Sequence, residues 1–198
     1  MMVLAPVIGF SSGALLLHIY DWSSGGTGES AVREELTTKY VNWGDSKVKL
    51  TWKRNSQLPP RKLITSVHGF CLKEEKLLLV NLNHRGWDFP GGHIEYEETP
   101  EVCLKREAYE EGYVTGSIIL LGHIVVDHTE NPKWDASSNY PKVGYQVFYR
   151  MDIDRLHDFQ AQFESAERIF INPGEVIEYY HDWNELYQEI LDYALVLK

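Results

Sequence analysis

The chain has 198 residues, 43% of them apolar and 24% charged, which suits a single globular domain that needs no disulfides to fold. Its 29 acidic against 19 basic side chains give a formal net charge of −10. That balance argues against nucleic-acid polymer and anionic membrane surfaces as partners. It leaves room for a small anionic ligand, because a divalent cation reverses the field locally.

The amino-terminal stretch 3–20 is apolar but is interrupted by Pro6, Gly9 and Gly13, and no basic residue precedes it. It is therefore a poor secretory signal and a poor membrane helix. It reads as a β-hairpin turning at Ser11-Ser12-Gly13 or as a leader foreign to the fold. Residues 23–28 are linker-like, so the expected division is a leader over 1–28 and a domain over 29–198. Residues 29–40 read as a short helix capped by Ser30. The alternation of Val48, Leu50 and Trp52 marks a half-buried strand over 47–53. After Pro59-Pro60, residues 63–72 and 76–82 read as a hairpin around Lys73-Glu74-Glu75. Residues 99–111 are a helix, with Thr99 as cap, Pro100 in the first turn and Glu101 near the positive end. Strands are expected over 117–126, 143–152 and 168–171, with a polar loop over 127–142 of the length that usually serves function. An amphipathic helix over 182–197 closes the chain. Cys71 and Cys103 form no CxxC pair and read as reduced, buried thiols.

Chemistry concentrates between Trp87 and Val114, WDFPGGHIEYEETPEVCLKREAYEEGYV. On a helix, Glu107, Glu110 and Glu111 fall at i, i+3 and i+4 and share one face. Three such carboxylates repel one another unless a cation sits among them, and hard oxygen ligands suit Mg²⁺ or Mn²⁺. Arg106 can hold one glutamate by a forked hydrogen bond, and at Gly91-Gly92 the backbone can approach a ligand closely. The ordinary alternative is a solvated acidic helix face.

The spacing is more specific than that alternative. From Gly92, five residues lead to Glu98, and seven more lead to Arg106-Glu107, then Ala108, Tyr109, Glu110 and Glu111. This resembles the Nudix hydrolase signature G-x5-E-x7-R-E-U-x-E-E-x-G-U, with U a bulky aliphatic residue. Phe89-Pro90-Gly91 is similar to the approach found in many members. Two positions depart from the signature: Ala108 stands for U, and Tyr113 stands where the family has Gly, with a glycine one place earlier at Gly112. On that basis the helix is expected to stop after Glu111, with Gly112 left-handed or otherwise non-helical and Tyr113 extended.

The resemblance implies an α/β fold, an α/β/α sandwich around a mixed β-sheet. It implies that Glu107, Glu110 and Glu111 hold Mg²⁺ (or Mn²⁺), with the Gly91 carbonyl as a further ligand. Arg106 would orient a glutamate and Glu98 would fix the loop feeding the helix. The family often adds an acidic residue from a later loop as ligand or base; the candidates are Glu164, preferred, and Glu167. The implied reaction is hydrolysis of a diphosphate linkage in a nucleotide. RGWDFPGGHIEYEE looks most like the nucleoside triphosphate pyrophosphatase branch. An ADP-ribose or sugar-nucleotide pyrophosphatase, and a non-catalytic ligand-binding module, are the alternatives. For the substrate, Trp87, Phe89, Trp134 and Tyr140 are the candidate ring contacts. His84, Arg85, Lys133 and Lys142 are either phosphate contacts or solvated charges. The expected partner is a small nucleotide, without nucleic-acid polymer or membrane, in a cytoplasmic protein for which a homodimer remains open.

Overall fold

The computed structural model describes residues 37–54 and 57–197, all within the compact unit that begins at Glu35. The expected leader, its boundary at 28, and residues 29–36 of the expected first helix lie outside the described residues. Residues 38–40 correct that helix, since they begin strand β1 (Thr38–Trp43). β1 turns through Gly44-Asp45 into β2 (Ser46–Arg54), with Gly44 at φ +60° and Trp43 paired with Ser46. A glycine at the first of two loop positions is a tight-hairpin signal, and here it outweighs the weak helical reading upstream.

After a 3-10 turn at Arg61–Leu63 come β3 (Ile64–Lys73), β4 (Lys76–Leu82), β5 (Gly86–Asp88), β6 (Gly91–His93) and helix α1 (Pro100–Gly112). Then follow β7 (Val114–Asp127), β8 (Val143–Leu156), β9 (Ser165–Ile171), a second 3-10 turn at Pro173–Glu178, and helix α2 (Glu185–Val196). The strands form one sheet in the order β1-β2-β7-β8-β3-β4-β5, with β6 on β3 and β9 on β4. β3 and β8 run parallel and the other pairs antiparallel, so the sheet is mixed.

Strand parity makes this sheet the middle of a sandwich. In β4, Leu77 and Leu79 point into the cluster under α2, built with Leu186, Ile190, Leu191 and Ala194. Leu78 and Val80 point the other way, into a cluster with Ala108 of α1. All four are fully buried, as a two-faced central strand requires. In β3, Phe70 and Leu72 face the α2 side while Val67 and Cys71 face the α1 side. Ile64 breaks this parity by joining the cluster of Val67, and the register of β3 against β8 shifts between Ile64 and Ser66. The result is the α/β/α sandwich that the resemblance implies.

α1 begins as the sequence predicts, with Thr99 Oγ1 accepting from the Val102 amide and Pro100 in the first turn. Its end does not. The helix runs through Gly112, and Tyr113 takes the left-handed conformation at φ 53°, ψ 44°. Gly112 is needed for closeness rather than for a turn, because a Cβ there would stand 2.8 Å from Cδ2 of buried Leu78. Tyr113 therefore occupies the backbone conformation that suits the family glycine. Among the described residues no helix is long and apolar enough to cross a membrane.

Candidate functional site

α1 rests Cys103, Leu104 and Ala108 on the sheet, which turns Glu107 and Glu110 toward Gly91-Gly92 at the start of β6. A cleft of about 420 Å³ opens between them, and Arg85, Gly92, Glu107, Glu110, Glu111 and Glu164 are among its walls. The backbone at Gly92 is close to the helix: a Cβ there would lie 2.1 Å from Glu107 Oε1. The Gly91 amide donates to Glu111 Oε2 at 2.9 Å, tying the end of α1 to β6.

Arg106, itself part of the cleft lining, is the hub of hydrogen bonds in this wall. Its Nε and one Nη donate to the two oxygens of Glu98 at 2.9 and 3.0 Å. The other Nη reaches Glu107 at 2.9 Å and Glu110 at 3.2 Å. The His93 carbonyl takes a further bond at 3.3 Å. Glu98 in turn accepts from the Glu95 amide, and Arg61 bonds the carbonyls of Glu95 and Glu98. Arg106 thus bonds three glutamates, Glu98, Glu107 and Glu110, and Glu98 bonds the backbone at Glu95. The Arg106 fork holds the Glu98 carboxyl below its ordinary range.

The other carboxyls shift the opposite way. Burial raises Glu107, opposed by Arg106 and reinforced by the charges of Glu110 and Glu164. Burial raises Glu111 to about 8; the Gly91 amide opposes this and the charge of Glu107 adds to it. Among the described residues no three His, Cys, Asp or Glu side chains already converge as a finished metal cage. The donor chemistry nevertheless fits a hard divalent cation: five carboxylates, Glu95, Glu107, Glu110, Glu111 and Glu164, and the Gly91-Gly92 backbone share one cleft, with the space at Gly92 kept clear by the missing Cβ. Of the two later-loop candidates, Glu164 lines this cleft. Glu167 is exposed and sits in β9 opposite Asn81.

A second cleft, of about 290 Å³, adjoins the first and shares Arg85, Gly92 and His93 with it. Its walls are aromatic: Trp43 and His128 lie 6.2 Å apart, and His93 and Tyr140 lie 6.0 Å apart with a 3.2 Å hydrogen bond. His68 and Gln146 add polar groups to its lining. Burial, then the charge of Arg85, lowers His68 to about 4, so its imidazole is neutral at neutral pH. It stacks on Phe148 with centroids 5.2 Å apart.

Only one of the four candidate substrate rings reaches this cleft, and it is Tyr140. Phe89 is corrected outright: it is 3% exposed and packs against Phe70, Tyr180 and Trp183 in the core. Trp87 lies edge-on to Tyr179 beside the same core and borders neither cleft. Trp134 holds its own loop, donating to the Tyr140 carbonyl at 3.1 Å with Lys142 over its ring. Sequence reasoning missed Trp43, His68, His128 and Gln146 as cleft walls. Of these, Trp43 alone stands beside a local sequence signal, the Gly44-Asp45 turn, which marks a hairpin and not a cleft.

A family model described as the NUDIX domain matches residues 62–195. No curated protein matches the chain. Among solved structures, the Bacillus subtilis pyrophosphohydrolase BsRppH is similar over 74% of this chain and 90% of its own, at 21% identity and a TM-score of 0.59. A C. elegans Ap4A hydrolase is similar over 67% and 99%, at 15% identity and a TM-score of 0.46. A MutT structure, from work on the Aliivibrio salmonicida and Vibrio cholerae proteins, is similar over 69% and 99%, at 16% identity and a TM-score of 0.47.

Proposed function

This chain belongs to the NUDIX family of pyrophosphohydrolases, and from that premise we propose that it hydrolyses the phosphate chain of a nucleoside triphosphate, or of another nucleoside diphosphate derivative, with Mg²⁺ or Mn²⁺ as cofactor. One observation carries the reading: the carboxylate-walled cleft and the aromatic cleft are continuous, and Arg85 stands in both. A nucleotide has a matching layout, with a flat base at one end and anionic phosphates at the other.

The base lies between the Trp43–His128 and His93–Tyr140 pairs, with Gln146 and neutral His68 within reach of its edge. Arg85 receives a phosphate: its side chain is 54% exposed and its ion pair with Asp88 is loose, at 3.8 Å. Glu107, Glu110, Glu111 and the Gly91 carbonyl would hold the cation, which when bound would neutralise phosphate charge and lower the pKa of water. Glu164, which lines the same cleft as α1's carboxylates, accepts a proton from the attacking water. Arg106 takes no part in bond making, since its donors are committed to Glu98, Glu107, Glu110 and the His93 carbonyl.

A Mg²⁺-supplemented panel of nucleoside triphosphates, dinucleoside polyphosphates, ADP-ribose and sugar nucleotides, with product identification, tests the reading. A nucleoside triphosphate should yield the monophosphate and pyrophosphate. Cleavage confined to ADP-ribose or sugar nucleotides would move the substrate elsewhere. Cleavage of no anhydride at all would overturn the proposal.

A further inference from the structure

We propose that Tyr113, the left-handed residue that ends α1, is a positioning residue for Glu164. The inference rests on the reading of Glu164 as proton acceptor, and it concerns what holds that carboxylate in place.

Eight residues, 157–164, connect the end of β8 to the start of β9, and Glu164 is the last of them. Tyr113 holds both ends of this segment. Its carbonyl accepts from the His157 amide at 2.9 Å. Its hydroxyl accepts from the Gln162 amide at 2.9 Å, two residues before Glu164. Its ring packs on Phe159 at 4.9 Å and on Phe163 at 5.9 Å, between centroids. Phe163 is Glu164's neighbour and lines the carboxylate cleft beside it.

The left-handed backbone is what allows one residue to do this. At φ 53° the Tyr113 amide still closes on the Ala108 and Tyr109 carbonyls, while the chain turns out of the helix. That turn sends the side chain under the 157–164 segment, where it is only 4% exposed. A glycine would make the same turn without strain, but would leave the segment without its inner support. A non-glycine residue in this conformation is uncommon and calls for a compensating interaction. The Gln162 hydrogen bond and the two ring contacts supply it.

The remaining contacts bind the same unit to the cleft. Arg168 of β9 donates to the carbonyls of Gly112, Tyr113 and His157, at 2.7, 3.1 and 2.8 Å. Ser165 Oγ donates to the Glu111 carbonyl at 2.6 Å, and the Asn83 amide to the Glu164 carbonyl at 3.0 Å. Glu164 therefore stands between a backbone fixed by Ser165 and Asn83 and a segment fixed by Tyr113.

A double-mutant cycle between Tyr113→Gly and Glu164→Gln tests the inference, with kcat and KM read on the best substrate of the panel. Glu164→Gln should lower kcat about a hundredfold, the scale of a lost general base. Tyr113→Gly should lower kcat about tenfold with KM held within about twofold, as a displaced catalytic group does. In the Glu164→Gln background the same change should cost less than about twofold, because there is no carboxylate left to misplace. Equal losses in both backgrounds would overturn the positioning role while leaving Glu164 as proton acceptor. A Glu164→Gln variant with wild-type kcat would overturn both. Tyr113→Phe keeps the buried ring and guards against a variant that fails to fold. It should speed hydrogen exchange at the Gln162 amide about tenfold, with exchange in α1 unchanged. Unchanged exchange at Gln162 would also overturn the proposal.

Discussion

Replacing Gly92 by Ala should damage catalysis far more than folding. The new Cβ would lie 2.1 Å from Glu107 Oε1 and 2.6 Å from its Cδ. Relief requires the carboxylate to retreat by roughly 1 Å, since carbon and oxygen do not approach much closer than about 3.2 Å. The obstacle is the far end of a flexible side chain, so the helix and sheet can stay where they are. Gly92 has no positive φ, and alanine there gains a little through the unfolded state. The net stability change should be within about 1 kcal/mol. The displaced carboxylate, however, leaves the position set by its 2.9 Å bond from Arg106. A misplacement of about 1 Å in a site of this kind costs on the order of a hundredfold in rate, or about 2.7 kcal/mol of barrier. Steady-state kinetics with Mg²⁺ and thermal unfolding of the same preparation measure the two effects. A variant with normal kcat and normal melting would refute the placement of Glu107. A variant that unfolds would show that backbone, not the carboxylate, meets the new methyl group.

Gly112→Ala carries two opposed terms: about 1 kcal/mol gained in helix propensity and about 1–3 kcal/mol lost to overpacking against buried Leu78. The expected result is a net loss of about 1 kcal/mol in chemical denaturation, and a stabilised variant would mean that Leu78 yields freely. Stability of the metal-free protein should fall as pH rises from about 4.5 to about 8. In that window Glu111 stays protonated in the folded chain, where burial raises it to about 8, while the unfolded chain ionises. Melting in chelator across this range should show the slope, Glu111→Gln should remove it, and Mg²⁺ should reduce it. An equal slope in the variant would assign the effect elsewhere. Turnover should rise toward alkaline pH with Mg²⁺ present, because cation binding needs ionised carboxylates; an acidic optimum would count against the carboxylate site.

What was readable in the sequence was local. The cap at Thr99, the face shared by Glu107, Glu110 and Glu111, and the alternation of Val48, Leu50 and Trp52 are set within a few residues, and the structure keeps all three features. The one-residue offset of glycine at the end of the box was visible, but its meaning was not. Nothing local says that Leu78 crowds Gly112, or that Phe159, Phe163 and the Gln162 amide give Tyr113 a reason to turn left-handed. β5 and β6 have three residues each, too few to carry a period. Phe89 was misassigned because closeness in sequence to the box does not fix the direction of a ring, and here the ring turns into the α2 core. The walls of the aromatic cleft come from β1, β3, β6, β7 and the loop after it, and β8, so only the folded sheet assembles them.

The most direct test of the carboxylate cleft as a cation-dependent hydrolytic site is turnover by the wild type and by Glu110→Gln, each with saturating Mg²⁺ and with excess chelator. Glu110 is partly exposed in the cleft, so losing its charge should leave the fold intact. The account predicts anhydride cleavage by the wild type in Mg²⁺ only, with the variant reduced at least about a hundredfold at unchanged melting temperature. Full wild-type turnover in chelator, or a folded variant working at the wild-type rate, would contradict it.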